Sequence, residues 1–523
     1  MSFIKSRTIQ LIIVCVVALA MIAQGAFVIK DTAYGADENS TDNLGYVDNQ
    51  LMVTFKQDVS HKEAVDIVAF AVSEELLKNN AGAAASISKI KEGITLKKIK
   101  SDDNMMLVKI GTNLDEETIS KELERNPDVD KAQPNYRYKA AADTDFAKAT
   151  AQQTSEQQAQ QTEWYMDYID APEALKVIEE QKNKKQQTQE NQAGTESSEE
   201  SNPVTIAIIG GKYEGALINN VVGKGNDIIA TMPVEAEATT AGITSGIDYA
   251  CSHNARIIIL SVGRGGYDAA LEKKINWALE EGALIIAPAG DEGIDAAWYP
   301  ADYKNCIGCV NTVKYSDAYS MACRNEKSNY GKDKDISAPG TDIRITDENG
   351  EEVTGTSSSC SAAIVAATAA MVMHTDTKLK PAEVRETLVK TATDISVSDF
   401  DVYTGYGNVN AYEAVALATG VKTSAEEKTL GKTVAKAKAE KEGIAISWSS
   451  VKDASNYIVF RKGPEDDYYM QIADLNEDEM KWSDTGCAVG KEYSYKVMAA
   501  ATSEDGKKIK GEGSDPMTVK FGE

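Results

Sequence analysis

Short runs of branched apolar residues alternate with amphipathic stretches through the middle of this chain. The runs VTIAII (204–209), NDIIATMPV (226–234), RIIIL (256–260) and ALIIAPAG (283–290) are too short for buried helices and lack a period of two. They read as strands covered on both faces. Between them lie helical periods, such as Thr240 to Ser252 with Ile243, Ile247 and Ala250 on one side. Alternation of this kind predicts a three-layer α/β domain around a parallel sheet. A helix of small residues, GTSSSCSAAIVAATAA from Gly355, fits its centre, and KPAEVRETLVKTA adds a helix with Pro381 at its start.

The flanks carry other periods. From about Leu44 to Tyr138, strands QLMVTF and MMLVKIG alternate with two helices. The first helix opens on a capping box, Ser60 with Glu63 three residues on, and lines up Val65, Val68, Val72 and Leu76. The segment DVDKAQPNY closes the unit as an edge strand carrying Pro134. The order is that of a ferredoxin-like α+β unit, β-α-β-β-α-β, spanning 43–140. Residues 141–163 read as a linker, and 181–202, almost without apolar residues, as a disordered insertion within a domain at 164–420. From 433 to 523 the pattern has period two, with Ile444, Ile446 and Trp448, then Tyr457 and Val459, then Tyr493, Tyr495 and Val497. This predicts an all-β sandwich of the immunoglobulin-like class.

Charge narrows the partners. The 523 residues carry a formal −26, which disfavours nucleic acid and anionic membrane surfaces. At the N-terminus Lys5 and Arg7 precede an apolar run from Ile9 to Ile29, followed by Ala33-Tyr34-Gly35-Ala36. Residues 1–35 read as a signal peptide, or as a membrane anchor if left uncut, so the remainder is expected to be secreted or at the cell surface. Seven cysteines occur, with Cys15 in this segment. The lone CxxC at Cys306 and Cys309 has no second pair, and no metal site or cofactor motif is expected. CIGCVNTV and YSMACRN read as a hairpin turning near Ser316, which would oppose Cys309 and Cys323 as a disulfide.

The middle domain resembles the subtilisin-like serine proteases, the subtilases. NPDVDKAQPNYRY is similar to the end of the family's inhibitory prodomain and WYMDYIDAPEAL to the entry of the protease domain. GTSSSCSAAIVAATAAM is similar to its nucleophile helix, and PAEVRETLVKTATD and GYGNVNAYEAV to its closing helices. The C-terminal sandwich is similar to fibronectin type III modules. The resemblance implies a serine nucleophile at Ser357 and a substrate groove at Ser261, Val262 and Gly263. It also places the triad aspartate at Gly210 and the oxyanion asparagine at Asp291, two substitutions that remove those functions. The family's histidine helix has no counterpart motif, and ALINNVVGKGNDIIATMPV is expected to run directly into the next strand.

A serine hydroxyl needs a base. Only His61, His253 and His374 exist, and none falls where a base belongs. The expectation is an exported subtilase homologue without catalysis, which binds peptides or serves as a scaffold. Its partners are its own prodomain tail, DKAQPNYRYKA, and extended peptides or proteins. The alternative is an active serine endopeptidase using Ser357 with an acid-type partner. Sedolisins, which carry an aspartate at the oxyanion position as Asp291 does, provide the precedent, with Glu235 and Glu237 in a later segment. Cys360, one turn past Ser357, is expected to pack in the core.

Overall fold

The structure is a computed structural model. It describes residues 44–522 apart from 79–86, 100–101, 112–113, 141–145, 149–163, 192–201, 224, 315–321, 348–349, 396–399, 423–429, 465–469, 503–507 and 512. The expected targeting segment and most of the expected linker lie outside the described residues.

The capping box at the head of the first helix forms in both directions. Ser60 N–H donates to Glu63 Oε2 (2.9 Å) and Glu63 N–H to Ser60 Oγ (3.2 Å). The N-terminal unit runs β1 (Tyr46–Phe55), α1 (His61–Lys78), α2 (Ile87–Glu92), β2 (Thr95–Ile99), β3 (Asp102–Lys109), α3 (Glu116–Leu123) and β4 (Val129–Tyr136). Its antiparallel sheet has the order β2-β3-β1-β4, so β4, with Pro134, is an edge. Val68 and Val72 of α1 pack with Leu51, Val53, Ile119 and Leu123 in a separate core.

Two short strands follow, β5 (Lys139–Ala140) and β6 (Phe146–Lys148), then helices α4 (Trp164–Tyr168) and α5 (Ala171–Asn191). Helix α5 overturns part of the expected disordered insertion. Its tail is rich in Gln, Lys and Glu, which are good helix formers even with no apolar face to bury. Residues 192–201 of that insertion lie outside the described residues.

The central domain contains β7 (Val204–Ile209), α6 (Glu214–Val222), β8 (Ile229–Val234), α7 (Thr240–Ser252), β9 (Ile257–Leu260), β10 (Val262–Gly263), α8 (Ala269–Glu280), β11 (Leu284–Pro288) and β12 (Cys306–Lys314). It continues with β13 (Ala322–Arg324), β14 (Ile336–Pro339), β15 (Ile343–Thr346), β16 (Glu352–Gly355), α9 (Ser358–Thr375), α10 (Pro381–Lys390) and α11 (Ala411–Thr419). Strands β8, β7, β9, β11 and β12 lie side by side in parallel; β14 joins β12 in parallel and β13 antiparallel. Alternate residues face opposite cores. Ile206, Ile208, Ile257 and Ile259 face the α9 side, and Ala207, Ile209, Ile258 and Leu260 the side of α7 and α8. That two-sided burial is why the strands read as continuous apolar runs. Helix α9 is buried from Ser358 to Met373, and its alanines let it lie close to the sheet.

The expected Cys309–Cys323 disulfide is not made. Cys323 lies opposite Val313, four residues along β12 from Cys309, and Cys309 is a free, buried thiol. Cys306 and Cys309 point into opposite cores.

At the C-terminus, β17 (Ala435–Glu440), β18 (Gly443–Trp448) and β21 (Lys481–Asp484) form one antiparallel sheet. β19 (Asn456–Lys462), β20 (Met470–Asn476), β22 (Glu492–Thr502), β23 (Lys508–Lys510) and β24 (Met517–Lys520) form another. Ile444, Ile446 and Trp448 share a core with Tyr457, Val459, Tyr495 and Val497.

Candidate functional site

Ser357 is the N-cap of α9, in extended backbone, and is only 1 % exposed. Its N–H donates to Gly340 O (2.9 Å). Its hydroxyl donates to Cys360 Sγ (3.6 Å) and accepts from Cys360 N–H (3.4 Å). The hydroxyl thus caps its own helix, as Ser does at such a position. No histidine reaches it. His61 begins α1 and His253 stacks on Tyr249 at the end of α7. His374 is seventeen residues farther along α9, about 25 Å at the helical rise.

Asp291 follows β11 and points at the same helix start. Ser358 N–H donates to both of its carboxylate oxygens (2.9 and 3.1 Å), and Ser358 Oγ to one of them (3.1 Å). An acceptor-only carboxylate thus stands at the mouth of α9, where the helix dipole favours it. An oxyanion developing there would meet a negative charge in place of a donor.

Helix α6 corrects the sequence reading. The segment expected to run straight into the next strand forms a nine-residue helix packed through Leu217 and Ile218 in the α9-side core. The signal was present in Leu217, Val221 and Val222 on one face and Gly223 as a stop. The histidine is absent, but Glu214 stands in the first turn, 4 % exposed, and accepts from Ser261 Oγ (2.7 Å). Burial raises its pKa, while Ser261 and the amides of Glu214, Tyr213 and Lys212 pull the other way. The carboxyl lies over Gly211, where a Cβ would come within 2.3 Å of it. Burial pushes the Cys360 thiol well up, and the Glu214 and Asp291 carboxylates add to that shift. Cys360 is therefore a core thiol, not a thiolate.

Gly210, where the resemblance places the triad aspartate, has φ +81°, and a Cβ there would meet Val262 Cγ1 at 2.6 Å and Ser261 O at 3.1 Å. Ser261 is fully buried, and its N–H donates to Ile209 O (2.9 Å). Val262 and Gly263 form β10, which pairs antiparallel with β5: Val262 opposite Ala140 and Gly263 opposite Lys139. On the other side, β16, which leads into Ser357, pairs antiparallel with β6, Gly355 opposite Phe146. Residues 139–140 and 146–148 therefore pair in turn with β10 and with β16.

The approach to β5 is held by side chains. Gln133 Nε2 (2.7 Å), Tyr138 OH (2.8 Å) and Thr240 Oγ1 (2.6 Å) all donate to Asp268, which caps α8 through Leu271 N–H (2.9 Å). Ala270 N–H donates to Gln133 Oε1 (3.2 Å), and Ala241 N–H to Asn135 Oδ1 (3.0 Å). Arg264 stacks on Tyr136, 3.8 Å from the ring centroid.

Residues 124–407, more than half of the chain, match the model of the subtilase family. The thermophilic serine proteinase of Bacillus sp. (strain AK1) is 27% identical over 397 residues, covering 71% of this chain and 88% of that protein. The cell wall-associated protease of Bacillus subtilis (strain 168) is 31% identical over 229 residues, 36% of this chain. This chain spans only 25% of that protein, and 60% of the thermitase of Thermoactinomyces vulgaris, to which it is 30% identical over 177 residues. The crystal structure of fervidolysin from Fervidobacterium pennivorans, described as a keratinolytic enzyme related to subtilisin, superposes with TM-score 0.50 at 14% identity. It covers 89% of this chain and 73% of its own, and the likeness is one of fold. The parallel sheet, the buried helix headed by Ser357 and the matched sequence agree, and the chain belongs to the subtilase family.

Proposed function

We propose that this chain is an exported, catalytically inactive member of the subtilase family that holds extended polypeptide along β10. One observation carries the reading: the Ser357 hydroxyl is committed to Cys360, and its backbone N–H to Gly340. No histidine bonds to it among the described residues, and the Asp291 carboxylate beside it accepts hydrogen bonds and donates none. In subtilisin, loss of the base alone costs about 10⁶ in turnover. Residues 43–140 serve as a prodomain-like unit, with its tail as the first ligand, and 433–523 as a fibronectin type III-like module. Pairing of Lys139–Ala140 with Val262–Gly263 supports the first role, since strand addition uses main-chain bonds and no triad. The names of two relatives, a cell wall-associated and a minor extracellular protease, support export. A fluorophosphonate probe tests the inactive reading. Purified chain is expected to remain unlabelled, and labelling that vanishes in Ser357→Ala overturns it.

Glu214 favours a second reading, an acid-type endopeptidase. A buried carboxyl with a raised pKa, at the head of the helix beside α9, is a general-base candidate. Casein hydrolysis at pH 3–5 that is lost in both Ser357→Ala and Glu214→Gln would establish it over the first.

A further inference from the structure

The groove along β10 carries its own ligand preference. In an antiparallel pair, opposed residues share a face. Lys139 therefore lies on the face toward which a Gly263 side chain would point. That face is already filled: a Cβ on Gly263 would lie 1.9 Å from Trp298 Nε1, and one on Gly290, across the groove at the end of β11, 2.8 Å from the same atom. Trp298 is only 4 % exposed. Its indole edge thus occupies the space between the two glycine backbones. Beside it, Glu292 takes Lys139 Nζ at 2.8 Å. The carboxylate is oriented before any ligand arrives, by Asn329 Nδ2 (2.8 Å) and the Asp291 N–H (2.9 Å). Its side chain is 10 % exposed, whereas the lysine remains 55 % exposed.

Resting on the peptide-holding reading, we propose that this groove selects extended segments with a lysine or arginine opposite Gly263 and a short side chain two positions on. Glu292 selects the charge. The second requirement follows from strand alternation, which returns that position to the face where Trp298 has taken the room. A large apolar side chain, which a deep pocket between the two glycines would welcome, is refused here.

Amide hydrogen exchange at Val262 and Gly263 in the full-length protein reads occupancy of the groove, whereas the Ser261 N–H is held by Ile209 O in either case. Lys139→Glu is expected to speed exchange about five-fold, a large effect for a half-exposed pair because reversal adds repulsion. Lys139→Glu with Glu292→Lys should return it to the parent rate. Added peptide QPNYRYKAAA should slow exchange in the Lys139→Glu protein, and the same peptide with glutamate for lysine should not. QPNYRYKAFA should bind only when Trp298→Ala is also present. If the Val262–Gly263 segment exchanges freely in the parent protein, the peptide-holding reading fails. If it is protected but indifferent to charge reversal, or if the phenylalanine peptide binds with Trp298 in place, this inference fails and that reading stands.

Discussion

Gly210 offers a measurement of how tightly the turn after β7 is packed against β10. Adding a side chain there should destabilise the domain. At φ +81° a non-glycine residue pays about 1–2 kcal/mol. The Cβ would also lie 2.6 Å from Val262 Cγ1 and 3.1 Å from Ser261 O. Val262 is 2 % exposed and Ser261 lies in the central domain's interior, so neither yields freely, and overpacking adds about 1–3 kcal/mol. Gly210→Ala is thus expected to cost about 2–5 kcal/mol. A domain with ordinary stability of roughly 5–15 kcal/mol still folds. Gly210→Asp should cost more, since its carboxylate enters a region that already buries Glu214. Urea unfolding followed by exchange of the β7 and β9 amides isolates the central domain from its neighbours. A double-mutant cycle with Val262→Ala separates the two contributions. Removing Cγ1 should recover the overpacking part, a coupling of about 1 kcal/mol or more, and leave the backbone part. A Gly210→Ala cost under about 0.5 kcal/mol, or no coupling to Val262, would refute the reasoning.

Other expectations follow from single contacts. Burial raises the Glu214 pKa above its ordinary value of 4.5, so the native state holds that proton more tightly than the unfolded chain. Stability should therefore fall as pH rises from about 4.5 through the folded pKa. Glu214→Gln should flatten that fall in urea midpoints measured from pH 4.5 to 7.5, and an unchanged slope would contradict it. Lys274 is fully buried against Asp248 (2.6 Å), so Lys274→Met should cost about 3–5 kcal/mol by stranding the carboxylate. The double change with Asp248→Leu should recover much of it in the same unfolding assay. In a protease-deficient host, N-terminal sequencing should find no start near Trp164, and a start there that Ser357→Ala abolishes would count against inactivity.

The parallel sheet was legible because burial on both faces leaves continuous runs such as VTIAII, and α9 because alanine and serine recur from Ser358 to Ala370. Ser357 and Asp291 were singled out by their motifs, and the structure brings both to the start of α9. Helix α6 was overlooked although Leu217, Val221 and Val222 mark one face, because two asparagines and nearby glycines dilute a signal that the packing of Leu217 and Ile218 decides. Glu214 was missed for a related reason: a glutamate in sequence carries no mark of being buried. The disulfide failed on register. Cys323 pairs with Val313, four residues past Cys309, so the two thiols are not opposed. Trp298 and Glu292 come from one loop, but their meaning depends on Gly263 and Gly290, brought together only by the sheet.

The bonds on Asp268 set an order of events during synthesis. Tyr138 and Gln133 precede it by 130 and 135 residues. At a ribosomal pace of roughly 5–20 residues per second, those donors emerge about 7–26 s before their acceptor. Their own unit has a separate core and its four strands are complete by Tyr136, so it can be folded by then. Helices α7 and α8 then begin beside amide acceptors already fixed in space, Asn135 for one and Gln133 for the other. Starting a helix is its costly step. The earlier part of the chain thus acts as a mould for the later part, and the two halves need not be equivalent if supplied in the reverse order.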